Sequence, residues 1–168
     1  GGRDTRSGTA GMKAVSNASP LIALAKAGYL RILPQLFDRV VVPQAVAAEI
    51  RAGGDDDPMR QSIEETDWLE EVVLSPPLTE FAVAHLGAGE AEVIEWASHH
   101  DGHTALLDDR AARRAAAALG IPVMGTLGLT ARAVRLGVLP SFEEAVAKLR
   151  AAGLYVNEKT VQAAMLSP

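Results

Sequence analysis

Residues 13 to 28 constrain the fold more than any other stretch of the chain. Lys13 to Ser16 is a short strand-like run, Asn17 and Ala18 make a polar turn, and a helical pattern begins at once. Ser19-Pro20 reads as the helix start, with Ser as N-cap and Pro at the first helical position. Leu21, Ile22, Leu24 and Ala25 give the apolar face, and Gly28 is the stop. A strand that runs straight into a helix is the unit from which parallel α/β sheets are built. In such sheets ligands bind just beyond the C-terminal ends of the strands. The residue placed there is Asn17.

The same grammar repeats downstream. Tyr29 to Leu36 reads as a short helix broken near Pro34. Arg39 to Val42 is a β-branched run of the buried parallel type, stopped by Pro43, and Gln44 to Ala52 is helical. Gly53 to Pro58 is an acidic loop; its three successive aspartates lack the alternating spacing and distal Glu of a calcium loop. Met59 to Thr66 reads as a helix, Trp68 to Leu74 as an edge strand closed by Pro76-Pro77, and Leu78 to His85 as a helix. The next helix starts at Gly87-Ala88-Gly89-Glu90 and runs to about His100. Thr104 to Leu107 is a strand, with Asp108-Asp109 at its C-terminal end. Arg110 to Leu119 is an Ala-rich helix closed by Gly120, and Ile121 to Met124 is the last strand. Gly125 to Gly137, Ser141 to Ala152 and Asn157 to Met165 supply three more helices. The connections are long enough for right-handed crossovers. The expected fold is therefore α/β, a three-layer α/β/α domain with a mainly parallel central sheet over residues 12–168.

Composition narrows the chemistry. The 168 residues are 48% hydrophobic but only 4% aromatic, so Ala, Val and Leu must build the core. Zero cysteines exclude disulfides, thiolate zinc sites and thiol nucleophiles, and fit a reducing, cytoplasmic setting. No apolar run is long enough to span a bilayer, so no membrane role is expected. A net charge of −5 argues against a general electrostatic grip on nucleic acid; any such binding needs a local basic patch. Residues 1–11 lack periodicity, and Met12-Lys13 has the look of a natural start, so the preceding stretch reads as a tag remnant or disordered tail.

Four places put polar or acidic groups at turns beside strand ends or on adjoining helices: Asn17 with Ser19, Glu49, Glu90, and Asp108-Asp109. Convergent oxygen ligands from separate elements are what Mg²⁺ or Mn²⁺ needs for phosphodiester cleavage. Spacing alone does not bring the four together, but two of them follow strands at the edge where such sheets place sites.

The order Val15-Ser16-Asn17-Ala18-Ser19-Pro20-Leu21-Ile22, Val42-Pro43 to Glu49-Ile50, Gly87-Ala88-Gly89-Glu90-Ala91-Glu92, then Leu107-Asp108-Asp109-Arg110 resembles a PIN domain. More narrowly, it is similar to a prokaryotic branch related to toxin-type PIN ribonucleases. The resemblance covers about residues 12 to 155. It implies a pocket of three or four acids that binds Mg²⁺ or Mn²⁺ and cleaves RNA, with an antitoxin protein and a second copy of the chain as partners. By position, the family's first Asp falls on Asn17, its neighbouring Ser or Thr on Ser19, its helix-borne Glu on Glu49 and its next acid on Glu90. Its last Asp falls on Asp109, with Asp108 as a near alternative. The first position is the departure: an amide oxygen coordinates a hard cation without bringing charge. Glu92 is a peripheral candidate.

Each residue has a plainer reading. Asn17 orders a turn, Glu49 is a surface glutamate, Glu90 complements its helix dipole, and Asp108-Asp109 caps a helix. His99, His100 and His103 sit at a helix end without the i, i+4 spacing of helical zinc sites. Gly87-Ala88-Gly89 lacks the strand and third glycine of a dinucleotide fingerprint. Gly125-Thr126-Leu127-Gly128 reads as a strand-to-helix turn, with Thr126 as a pocket-wall candidate. Arg110, Arg113 and Arg114, with Arg132 and Arg135 on a later helix, form the candidate basic rim for an RNA backbone. The leading expectation is a Mg²⁺- or Mn²⁺-dependent endoribonuclease. The rivals are a non-catalytic nucleic-acid-binding module and a protein-interaction domain with a vestigial site.

Overall fold

In the computed structural model, residues 11–75 and 86–166 are described. Five strands are found among them: β1 Lys13–Ser16, β2 Arg39–Pro43, β3 Leu69–Val72, β4 His103–Leu106 and β5 Val123–Met124. They form one sheet in the order β3-β2-β1-β4-β5, and every pairing is parallel. The described helices are α1 Ala18–Ala27, α2 Ile32–Leu36, α3 Gln44–Arg51, α4 Pro58–Glu65, α5 Ala88–His99, α6 Arg110–Ala118, α7 Thr126–Arg135, α8 Phe142–Ala151 and α9 Glu158–Leu166. They flank the sheet, giving the expected three-layer α/β/α architecture.

The central strands are buried along most of their length. Ala14, Val15, Val40, Val41, Val42, Ala105 and Leu106 are each at most 1% exposed, so β-branched and small residues on both faces are covered by helices. The main core joins them to Leu21 and Leu24 of α1, Val46 and Ile50 of α3, Val93 of α5 and Leu129 of α7. A second, smaller cluster of Leu127, Phe142, Val146, Leu149 and Val161 ties α7 to α8 and α9.

The strand order decides where a site can lie. From β1 the chain steps outward through β2 to β3, then returns to the other flank of β1 for β4 and β5. The order therefore reverses between β1 and β4. The C-terminal ends of these two strands form the crevice where open α/β sheets bind ligands. The Asn17 N–H donates to Leu106 O at 3.1 Å, holding Asn17 at that crevice one residue beyond the last paired position of β1.

Several boundaries differ from expectation. Helix α1 begins at Ala18, so Asn17 is its N-cap residue, Ser19 its exposed second residue and Pro20 its third. This start aligns Ala18, Leu21 and Leu24 on one fully buried face, and that burial outweighs the Ser-Pro start signal. Pro20 costs nothing there, since first-turn N–H groups have no helical partner. Pro34 likewise sits in the first turn of α2 and does not break it; Tyr29 instead closes α1 by donating its N–H to Leu24 O. The edge strand expected after Trp68 is β3, paired in parallel with β2. The helix expected over Leu78 to His85 lies outside the described residues.

Candidate functional site

Asn17 is an unusual N-cap. Its side chain makes no capping bond; Oδ1 is buried without any hydrogen-bond partner, and the residue is only 7% exposed. A buried amide oxygen left unpaired costs about 1–3 kcal/mol. What it faces is the first turn of α5. A Cβ on Gly89 would lie 2.9 Å from Asn17 Oδ1, 3.2 Å from Val46 Cγ2 and 3.6 Å from Glu49 Oε1. Gly89 is thus the point at which β1, α3 and α5 close on one another, and Asn17 and Glu49 both aim an oxygen at it.

Glu90 is the next residue along. It stands third in α5 and reaches back, Oε1 accepting from the Gly87 N–H at 3.2 Å, which is half of a capping box. Burial pushes its carboxyl above the ordinary glutamate value. The Gly87 N–H opposes the rise, and the negative charges of Asp109 and Glu49 add to it. Glu49 itself is exposed on the last turns of α3.

The two aspartates after β4 divide. Asp108 accepts from Thr126 N–H and from Thr126 Oγ1, both at 2.7 Å, and so anchors the start of α7. Asp109 is the N-cap of α6, with Oδ2 accepting from Ala112 N–H at 2.9 Å. It is exposed, and its charge reaches Glu90. Thr126 is 1% exposed with its N–H and hydroxyl both committed to Asp108. It is a buried anchor for that carboxylate rather than a pocket wall open to RNA.

Asn17 and Glu49 thus meet at Gly89, Glu90 is the next residue on α5, and Asp109, one of the two aspartates after β4, adds its charge to Glu90. Among the described residues, no three His, Cys, Asp or Glu side chains already stand as a metal-holding group. The donor set still suits a hard divalent cation: it is all oxygen, it includes an orphaned buried amide oxygen, and its carboxylates repel one another. Ser19 is exposed at the start of α1.

Arg110, Arg113 and Arg114 are exposed on α6. Arg113 Nη1 would lie 3.2 Å from a Cβ on Gly125, at the ends of β4 and β5, so this part of the basic rim adjoins the acids. Arg132 does not join it. Its guanidinium donates to Met12 Sδ at the start of β1, the opposite edge of the sheet.

Of the histidines, His99 stands apart, while His100 and His103 pack edge to face, ring centroids 6.1 Å apart, around Trp96. His99 meets Glu95, while His100 stacks on Trp96 with ring centroids 3.6 Å apart. His103 opens β4 at the far end of the sheet from the acids, 4% exposed. Burial holds its imidazole below the usual histidine value. The His100 carbonyl opposes that fall, and the Arg39 and Lys13 charges add to it.

From sequence, Gly89 reads as part of a helix start with no contact role, and Glu92 as only a peripheral candidate. A glycine inside a helix, where its freedom is a cost, is the sequence signal of a close approach. Glu92 gives no comparable signal: its partner, the Ala45 N–H at 3.0 Å, is a backbone group on another helix.

A family model described as a PIN domain matches residues 13–167. No curated protein matches the chain. The PIN domain is a nuclease-type fold, and PIN domains generally depend on divalent metal and bind nucleic acid.

Proposed function

The chain belongs to the PIN-domain family, and we propose that it is a Mg²⁺- or Mn²⁺-dependent endoribonuclease in which Asn17 replaces one acidic ligand. Asn17, Glu49, Glu90 and Asp109 would hold the cation. The observation that carries this reading is the Asn17 Oδ1 atom, buried and unpaired at the β1/β4 crevice, beside carboxylates that repel one another.

A divalent cation bound there supplies Lewis acidity to a water and to the scissile phosphate. The chain's own residues do the rest. Glu49, Glu90 and Asp109 gather negative charge at one place, and Asn17 adds an oxygen donor without charge. Asp108 and Thr126 hold the start of α7 beside the site. Arg110, Arg113 and Arg114 offer guanidinium groups to RNA phosphates, with Arg110, adjacent to Asp109, nearest in sequence to the acids. Ser19 stands two residues beyond Asn17 as a further polar contact for the backbone of the substrate.

The same reading makes the protein the toxin of a toxin–antitoxin pair, cytoplasmic and dimeric, with an antitoxin protein as second partner; these features rest on the family resemblance. Among the described residues, no helix is long and apolar enough to cross a membrane.

Calorimetric titration with Mn²⁺, with and without single-stranded RNA, tests the proposal. Mn²⁺ binding that disappears in Glu90→Ala, together with Mn²⁺-dependent RNA cleavage, is expected. RNA binding indifferent to metal would replace the proposal with a non-catalytic binding module. Failure to bind either would leave a protein-interaction domain.

A further inference from the structure

Helix α3 begins without a cap of its own. Its N-cap residue is Pro43, which has no side-chain oxygen to offer the first N–H groups. The acceptor comes from α5 instead: Glu92 Oε1 accepts from the Ala45 N–H at 3.0 Å. A carboxylate at a helix N-terminus gains from the macrodipole, and its hydrogen bond to an N–H is charge-assisted. Glu92 is half-buried, so the bond is partly shielded from water.

The position of this bond matters more than its strength. Ala45 lies four residues, about one turn, before Glu49 on α3, and Glu92 lies two residues after Glu90 on α5. Next to these residues the helices touch directly, with Gly89, which precedes Glu90, closed against Val46, which follows Ala45. Without the Glu92 bond, only the apolar packing of Val46, Ala47 and Ile50 holds the turn that leads into Glu49.

We infer that Glu92 is a positioning residue, whose bond to the Ala45 N–H locks α3 against α5 and so sets the placement of Glu49 beside Glu90. In its consequence for metal binding, the inference rests on the function proposed above.

The test compares the full chain with Glu92→Gln, which keeps an acceptor oxygen, and Glu92→Ala, which keeps none. Amide hydrogen exchange at Ala45 through Glu49 and the Mn²⁺ dissociation constant are both measured. Losing one charge-assisted bond of at least 1.4 kcal/mol corresponds to about tenfold. Glu92→Ala is therefore expected to speed exchange along this stretch and to weaken Mn²⁺ binding, each about tenfold. Glu92→Gln, which keeps a neutral acceptor, should lose clearly less than Glu92→Ala in both. A lower melting temperature in Glu92→Ala with unchanged Mn²⁺ affinity would make Glu92 a plain cap and overturn the inference. Equal losses in both variants would make it a ligand through its charge, which overturns it too. If the wild-type chain binds no Mn²⁺, the ribonuclease reading fails on its own. The clamp is then decided by exchange alone: clearly faster in Glu92→Ala than in Glu92→Gln upholds it, and any other pattern refutes it.

Discussion

Gly89 is closed against Asn17: a Cβ at residue 89 would stand 2.9 Å from the Asn17 amide oxygen, nearer than real Cβ contacts come. Val46 at 3.2 Å blocks the other way out. Two effects oppose each other in Gly89→Ala. Helix propensity favours alanine by about 1 kcal/mol, less so in a first turn. Overpacking a close contact costs about 1–3 kcal/mol. Overpacking should win, because one neighbour belongs to a buried strand end and the other to a packed helix. Gly89→Ala is expected to lower the melting temperature and weaken Mn²⁺ binding together. A higher melting temperature would show that the crevice yields.

Asn17→Asp restores the charge that the family resemblance expects. Without metal, the new carboxylate is buried beside Glu49 and near Glu90, so the variant should melt lower than wild type at neutral pH. With Mn²⁺ the order should reverse, since one more anionic ligand is worth about 1.4 kcal/mol or more, at least tenfold in the dissociation constant. Paired melting curves with and without Mn²⁺, plus calorimetry, check this. Equal Mn²⁺ affinity in the two proteins would remove Asn17 from the ligand set.

Glu90 supplies a pH dependence with a definite sign. Its folded-state carboxyl is raised above the ordinary 4.5 by burial first and by Asp109 and Glu49 after that. The folded protein therefore holds this proton more tightly than the unfolded chain. The stability it contributes is complete below pH 4.5 and is lost as pH rises through the raised value. Glu90→Gln, which carries no charge at any pH, should melt above wild type at neutral pH in metal-free buffer, and the gap should close on acidification. Saturating Mn²⁺ should stabilise wild type and leave Glu90→Gln behind. A variant that melts below wild type in metal-free neutral buffer would mean that Glu90 matters chiefly as the partner of the Gly87 N–H.

The legible parts of this chain were those that local rules decide. Val40 to Val42 could only be an interior strand, Gly28 and Gly120 both adopt the left-handed backbone that ends a helix, and Ser141 caps α8 as its position suggests. The order of Asn17, Glu49, Glu90 and Asp109 was also readable. That the ends of β1 and β4, with Asn17 and Asp109, lie side by side follows from the reversal of strand order beside β1, which no local pattern encodes. The start of α1 misled because Ser19-Pro20 is a strong local signal, overridden by the burial of Ala18, Leu21 and Leu24. Arg132 misled because helix α7 carries it to the opposite end of the sheet, where it meets Met12. The division between Asp108 and Asp109 was invisible, since it depends on which carboxylate meets Thr126, 18 residues away.

That division can be measured. Asp108 satisfies both the N–H and the hydroxyl of Thr126, which is almost wholly buried, so Asp108→Ala strands two polar groups. Such losses cost about 1–3 kcal/mol. Asp109→Ala removes one exposed cap, worth about 1 kcal/mol. Asp108→Ala should therefore be the less stable of the two. Metal binding should rank them the other way. Asp109 is the aspartate whose charge reaches Glu90, so its loss should weaken Mn²⁺ binding about tenfold or more, while folded Asp108→Ala binds within about threefold of wild type. Melting temperatures and Mn²⁺ titrations on both variants separate anchor from ligand. A folded Asp108→Ala protein that no longer binds Mn²⁺ would exchange the two roles.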